Sequence, residues 1–438
     1  MTGLCGPPHV EVKSAECLRH EHDIRTSRFF AKSWFPGFGR VQMRIFPPVL
    51  KVSLAAALFA GAMAFAQNQP PAAAKTPHDP RSLPLTKFYN TPNPLPVGKP
   101  GELIRSETFT EYDLTYEISA VRILYHSRSP SGEDVAVSGV VLVPNRAPPA
   151  GQWPVIAWAH DFVGSAPQCA PSLMRNLNEG PLLAMYVGLG YAVVASDYAG
   201  LGTSFPSASL DMRSNALDVI YSIPAARAAL PQLGTKWVAV GYSQGGLAAV
   251  GVAEAGSEVA DPNYLGAIAI SGVAEPQEIF ERLAPGPAHR MLVFLAQGIK
   301  TVFPKFRVEE MLTDKAIPLY QHISHACEAS LGPELAANEM LKPGWENDRY
   351  VKAFFARNAP GRKPVHGPLL LIGGEADPEV PSDLTAPVVA RLCEQKARVF
   401  FVKYPGLNAS AAIGDSVSEQ ISWIRARFAG LPAPSNCH

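Results

Sequence analysis

The hexapeptide Gly241-Tyr242-Ser243-Gln244-Gly245-Gly246 follows one apolar run, 237–240, and precedes another, 247–250. A strand, a tight turn and a helix with serine at the apex make a nucleophile elbow, a bend so sharp that its flanking positions tolerate little beyond glycine. The chemistry this implies is attack of Ser243 on an acyl carbon. Such a reaction needs a base for the hydroxyl proton, an acid to orient the base, and amide donors facing the developing oxyanion. The Gln244 amide, at the helix start, supplies one donor, and the second is expected from Asp161 or Phe162, in the loop after the apolar run 155–158. Asp377 follows another apolar run, 369–372, and so falls at the carboxyl edge of a sheet, where ligands collect. It is the candidate acid, with Glu375 as the fallback and an Asp-Pro turn as the structural alternative. His160 reads as a hydrogen-bonding residue of its loop rather than as a catalyst.

The elements that must position these groups follow from periodicity. Alternation over 118–125 and 135–143 predicts a hairpin, and buried strands are expected at 155–158, 192–195, 237–240, 267–270, 369–372 and 399–402. Helical patterns at 181–189, 211–229, 245–255, 384–394 and 416–428 separate them. This order predicts an α/β fold, a doubly wound and mostly parallel sheet with an antiparallel start. Between the strands near 271 and 369 the chain is too long for one crossover, so 275–362 is read as a helical cap and 101–274 with 363–438 as the core. In the cap, Phe280, Leu292, Phe294, Phe303, Phe306 and Met311 suit equally an acyl-binding wall or the cap's own packing.

The 438 residues are 47% hydrophobic and 17% charged, with 38 basic against 38 acidic groups, enough for a large core and no electrostatic footprint for nucleic acid. Residues 43–66 have the basic start, apolar run and A-x-A end of a secretory signal, with cleavage expected after Ala66; an uncleaved anchor is the alternative. No stable membrane span is expected after cleavage. Residues 1–42 read as a leader or a misassigned start. Nine prolines between 67 and 100 predict an extended arm lying on the core or a linker to it. Of six cysteines, Cys5 and Cys17 fall in the leader, leaving Cys169, Cys327, Cys393 and Cys437 for two disulfides in an oxidising compartment. Three pairings are possible, and Cys169–Cys327 with Cys393–Cys437 is favoured. Zinc is a poor reading because no C-x-x-C spacing occurs, and His322 with His325 reads as a helix face. The sequon Asn408-Ala409-Ser410 is treated as coincidence.

Together the elbow, Pro100-Gly101-Glu102-Leu103-Ile104-Arg105, Trp158-Ala159-His160 followed by Gly164 and Cys169-Ala170-Pro171-Ser172, Asp197-Tyr198-Ala199-Gly200-Leu201-Gly202-Thr203, and Arg427-Phe428-Ala429-Gly430 with a near-terminal cysteine make a specific pattern. It resembles the secretory lipases of bacteria and fungi, within the α/β-hydrolase superfamily, along most of the chain after the signal. The resemblance implies hydrolysis of carboxylic esters, acylglycerols included, without metal or organic cofactor; the partner is a small-molecule ester or lipid. It matches the family's acid to Asp377. The oligomeric state is left open.

Two departures stand out. Where the family shows His-Gly or His-Pro and then Thr-Thr-Gly, this chain has His160-Asp161-Phe162-Val163-Gly164, and a carboxylate beside the oxyanion hole would repel the charge forming there unless it turns away. After the last strand the family pattern Tyr-x-Gly-x-x-His becomes Tyr404-Pro405-Gly406-Leu407-Asn408-Ala409, with alanine at the imidazole position. No histidine lies between His366 and His438. His366 precedes its strand, at the wrong end of the sheet, and a Cys393–Cys437 bond would hold His438 on the opposite face. Loss of the base costs a serine triad roughly a millionfold in turnover. Two readings follow: an esterase whose base comes from His160, His289, His322 or His325, or a catalytically silent relative that binds an ester or lipid. A surface-interaction role for the cap is a more remote third.

Overall fold

The long apolar runs become strands buried on both faces of one sheet, as parallel strands covered by helices must be. The computed structural model describes residues 81–115, 117–148, 151–256, 261–285, 290–328 and 335–437. The expected leader and signal, residues 67–80 of the arm, His289 and His438 lie outside the described residues.

Among the described residues nine strands form one sheet, ordered β1-β2-β3-β5-β4-β6-β7-β8-β9. The first three, β1 (Leu103–Phe109), β2 (Ile118–Arg128) and β3 (Asp134–Pro144), are antiparallel, and β3 joins the rest by an antiparallel pairing. From β5 (Ala192–Ser196) through β4 (Trp153–Ala159), β6 (Leu233–Tyr242), β7 (Tyr264–Ile270) and β8 (Leu369–Gly374) to β9 (Val399–Tyr404), every pairing is parallel. β1 is absent from the expected strands. It is an edge strand with no fully buried residue and a register shift between Leu103 and Arg105, so it carries neither a clean alternation nor an apolar run.

Alternate residues of each strand feed opposite cores. Val155, Ala157 and Ala159 pack with α2 (Met212–Ala229), α3 (Gln244–Ala255) and α9 (Ser382–Glu394), whereas Ile156 and Trp158 face α1 (Gly180–Gly188) and α11 (Val417–Phe428). Trp158 and Trp237, 1% exposed each, anchor the two faces, and burying side chains of this size contributes about 3 kcal/mol apiece. Between β7 and β8 the chain forms α4 (Pro276–Leu283), α5 (Met291–Val302), α6 (Ile317–His322), α7 (Ala337–Met340) and α8 (Arg349–Asn358), which build an apolar cluster of their own. Phe280, Leu292, Phe294, Phe306 and Met311 are buried in that cluster and Phe303 packs against it. Packing of the insertion accounts for all six, and none of them is among the residues lining the Ser243 cavity.

Polar and covalent ties fasten the insertion to the rest of the fold. Arg357 of α8 donates from Nε to Asp211 Oδ2 at 2.6 Å, and Asp211 is the buried N-cap of α2, accepting from Ser214 N at 2.9 Å. Asn358 Oδ1 accepts from Met212 N at 2.7 Å. The disulfide Cys169–Cys327 joins the loop after β4 to the insertion, and Cys393–Cys437 links the end of α9 to the C-terminal segment, both as favoured from the sequence. The arm's described part lies on the core: Leu83 N bonds Leu173 O at 2.7 Å, and Phe88 and Tyr89 are buried against Leu124 and Leu173.

Candidate active site

Ser243 sits between β6 and α3 with φ 54° and ψ −117°, a backbone region unfavourable to any side chain. Its neighbours explain how the strain is held. A Cβ on Gly241 would collide with the carbonyl of Gly245, and one on Gly245 with the carbonyl of Ala159, at the end of β4. Ser243 N donates to Ile270 O at 2.8 Å and its carbonyl accepts from Leu247 N at 3.1 Å. The turn is thus wedged between β4 and β7, and the hydroxyl is left half-buried in a cavity of about 270 Å³. Asp161, Phe162, Met291, Glu328, Asp377, Glu379, Asn408 and Ala409 are among its other lining residues.

Two loops bring the distant residues to this cavity. Asp377, 5% exposed, follows β8, and its Oδ1 accepts from the amides of Glu379 and Val380 at 3.0 Å each, which fixes the carboxylate. Ala376 N bonds Leu407 O at 3.0 Å, so the loop after β8 is pinned to the loop after β9. There Asn408 caps α10 (Ala409–Asp415), accepting from Ala411 N at 2.9 Å. Ala409 is the first residue of that helix, and the sequence reading has no helix here. Glu375, the fallback acid, is exposed and is not among the cavity's lining residues.

The loop after β4 departs from expectation. The Asp161 carboxyl does not turn away: its Oδ1 accepts from Phe162 N at 2.6 Å, and Asp161 lines the same cavity as Ser243. Of the candidate oxyanion donors Gln244, Asp161 and Phe162, the Phe162 amide is thus held by the Asp161 carboxyl. Burial pushes the Asp161 carboxyl above the usual carboxylate range, against the lowering influence of Ser243, Phe162, His160 and Gln244 beside it. Other acids crowd the same space. Glu328 is pushed up to about 7, by burial first and then by Asp161 and Glu379, and Glu379 is raised by burial, Asp377 and Asp161. Neither Glu328 nor Glu379 carried a local sequence signal. Glu328 arrives because Cys327 is bonded to Cys169 and Glu328 N bonds Val163 O at 3.2 Å.

The histidines can now be placed. His160 is 1% exposed, stacked on Tyr198 at 4.1 Å, with Nε2 3.1 Å from Asp197 O and Nδ1 2.5 Å from Asp161 O. Burial lowers its pKa, and both nitrogens face carbonyls, so the ring braces the Asp161 loop and has no nitrogen turned to Ser243. Asp197, which accepts from Ser138 Oγ at 2.6 Å and Ser172 N at 2.8 Å, anchors the other side of this brace. His366 N bonds Ala253 O at 2.9 Å, near the C-terminal end of α3. Twelve residues of helix, about 18 Å, separate it from Ser243. His322 and His325 are exposed, and neither is among the cavity's lining residues. Among the described residues no group of three His, Cys, Asp or Glu side chains is placed to hold a metal ion.

A mostly parallel sheet with helices on both faces and a strand-serine-helix elbow defines an α/β-hydrolase fold. The sequence profile of the secretory lipase family matches residues 178–436, and the chain belongs to that family of lipase- and esterase-like hydrolases. Candida antarctica lipase A in its closed state superposes with a TM-score of 0.71 at 19% identity, covering 81% of this chain and 90% of its own. The rice cell wall degrading esterase LipA from Xanthomonas oryzae gives 0.63 at 19% identity, over 76% of this chain and 98% of its own. A putative hydrolase from Legionella pneumophila gives 0.64 at 19% identity, over 74% and 98%. A search of curated protein sequences returns no match.

Proposed function

We propose that this protein is an exported serine hydrolase of carboxylic esters, lipids included, in which Ser243 is the nucleophile, Asp377 the acid of a vestigial triad, and the amides of Gln244 and of Asp161 or Phe162 the oxyanion donors. The observation that carries this reading is the strained Ser243 turn opening on one cavity together with Asp377 and residue 409. Attack by Oγ on the ester carbonyl would form an acyl-enzyme and release the alcohol, and water would then release the acid. With alanine at 409, no imidazole bridges Asp377 and Ser243, so turnover is expected to be weak. Family membership and two disulfides support export; cleavage of 43–66 as a signal belongs to the same reading. Among the described residues no helix is long and apolar enough to cross a membrane. Residues 275–362 are proposed to act as the cap that covers the cavity, with Met291 and Glu328 contributed from it.

The test is hydrolysis of a short-chain p-nitrophenyl ester by the parent, by Ser243→Ala and by Ala409→His. Weak parental turnover that Ser243→Ala abolishes, and that Ala409→His raises by about a thousandfold or more, is the expected result. Ala409 also favours a second reading, a silent relative that binds esters. It would hold if p-nitrophenyl ester bound all three proteins and none of them turned it over.

A further inference from the structure

We propose that the Ser243 cavity selects esters that carry an ammonium group, and that Glu328 and Glu379 set this preference. The inference rests on the reading of that cavity as the ester site. Its ground is the lining. Asp161, Glu328, Asp377 and Glu379 all line one space of about 270 Å³, whereas no Lys, Arg or His is among its lining residues. The chain as a whole carries 38 basic and 38 acidic groups, so the excess is local.

Backbone bonds hold these acids in place. Phe162 N donates to Asp161 Oδ1 at 2.6 Å, and Glu379 N and Val380 N donate to Asp377 Oδ1 at 3.0 Å each. Glu328 is fixed by the Cys169–Cys327 disulfide and by its own amide on Val163 O at 3.2 Å. Asp377 is buried, Asp161 and Glu328 are half-buried and Glu379 is exposed, so the acids are spread over a range of depths. Asp377 belongs to the triad and Asp161 to the loop of the oxyanion hole, which leaves Glu328 and Glu379 without a part in the chemistry. A second feature marks a ligand's place independently of charge. Ser271, also a lining residue, is 5% exposed, and its hydroxyl has no hydrogen-bond partner among the described residues. Buried hydroxyls are nearly always paired, and the oxygens of a bound ester are acceptors of the kind this one lacks.

An organic cation fits the cavity better than a metal ion. Among the described residues no three His, Cys, Asp or Glu side chains are placed to ligate one. Phe162 and Tyr242 line the same space, and aromatic faces attract ammonium groups. The volume lies at the small end of ligand pockets, which run from about 300 to 1,000 Å³, so the ester is a small one. The reaction gains from the same charge. Attack on a neutral ester builds an oxyanion among four acids, whereas an ammonium group on the substrate offsets that charge as it forms.

The experiment titrates acetylcholine and its uncharged isostere 3,3-dimethylbutyl acetate into the Ser243→Ala protein, alone and combined with Glu328→Gln or Glu379→Gln, with cooperative unfolding measured for each. Acetylcholine is expected to bind about tenfold tighter than the isostere, and each Gln variant to cut that ratio about threefold. Added salt should shrink the preference. The ratio should grow as pH rises through about 7, where Glu328 ionises, and this growth should vanish in Glu328→Gln. Asp161, Glu379 and Arg290 face Glu328, and Asp377 and Asp161 face Glu379; they move the midpoint and leave the direction unchanged. A ratio near one, no binding of either ester, or a ratio that both Gln variants leave unchanged overturns the proposal. Hydrolysis of p-nitrophenyl acetate by Ala409→His reads the Ser243 assignment separately, and that assignment stands if the ester is turned over, whatever acetylcholine does.

Discussion

The β6–α3 turn and the β9–α10 turn line one cavity and are constrained in opposite ways. At the first, Gly241, Gly245 and Gly246 each face backbone carbonyls that leave no room for a Cβ, and Ser243 is held in strained geometry by bonds to β7 and α3. At the second, Gly406 has nothing within 4 Å of a built Cβ, Asn408 is exposed, and residue 409 opens a helix whose cap is complete without its side chain. Alanine is a good helix former and costs nothing there. The nucleophile's scaffold is thus part of the core, whereas the imidazole position is the half-buried first residue of a helix at the edge of the core, whose cap does not depend on its side chain. A serine hydrolase fold can keep its elbow and lose its base.

The largest test of that contrast is the gain of about a thousandfold or more expected for Ala409→His, measured as kcat/KM with Ser243→Ala as blank. On the other side of the cavity, Gly245→Ala should cost about 4 kcal/mol or fail to fold, read from urea unfolding, because the carbonyl of Ala159 belongs to β4 and cannot yield. Glu328→Gln is intermediate. The ordinary Glu value of 4.5 becomes about 7 in the fold, so in that pH window the native state keeps a proton that the unfolded chain has lost. Stability is full below the window and falls as pH rises through it, and the substitution should flatten this fall by about 2 kcal/mol, after allowance for solvent screening. The smallest effect is expected of Asn408→Ala, which removes the cap of α10 and should cost about 1 kcal/mol in urea unfolding. A loss above that of Gly245→Ala would reverse the comparison.

Much of this was legible before any coordinates. The buried strands declare themselves as apolar runs bounded by turn residues, and the parallel core from β4 to β9 follows from their alternation with helices. Strand β1 is not legible, since an exposed edge needs no apolar pattern to be held by β2. The site divides the same way. Ser243 is marked by its own glycines, Asp377 by the strand before it and Ala409 by the motif it interrupts. Glu328 and Glu379 are ordinary acids in the sequence, and the former reaches the cavity through a disulfide spanning 158 residues.

The aromatic residues of the insertion make the same point from the apolar side: residue type alone suits them to a wall or to a core, and only the packing of α4, α5 and α8 assigns them to the core. Local stereochemistry, then, was enough to place a serine at a bend and to show that its usual partner is gone, because glycine spacing and residue identity act over a few positions. That the Asp161 carboxyl shares a cavity with Ser243 was decided by tertiary structure alone, because the loop after β4 and the turn after β6 come together only when the sheet is assembled.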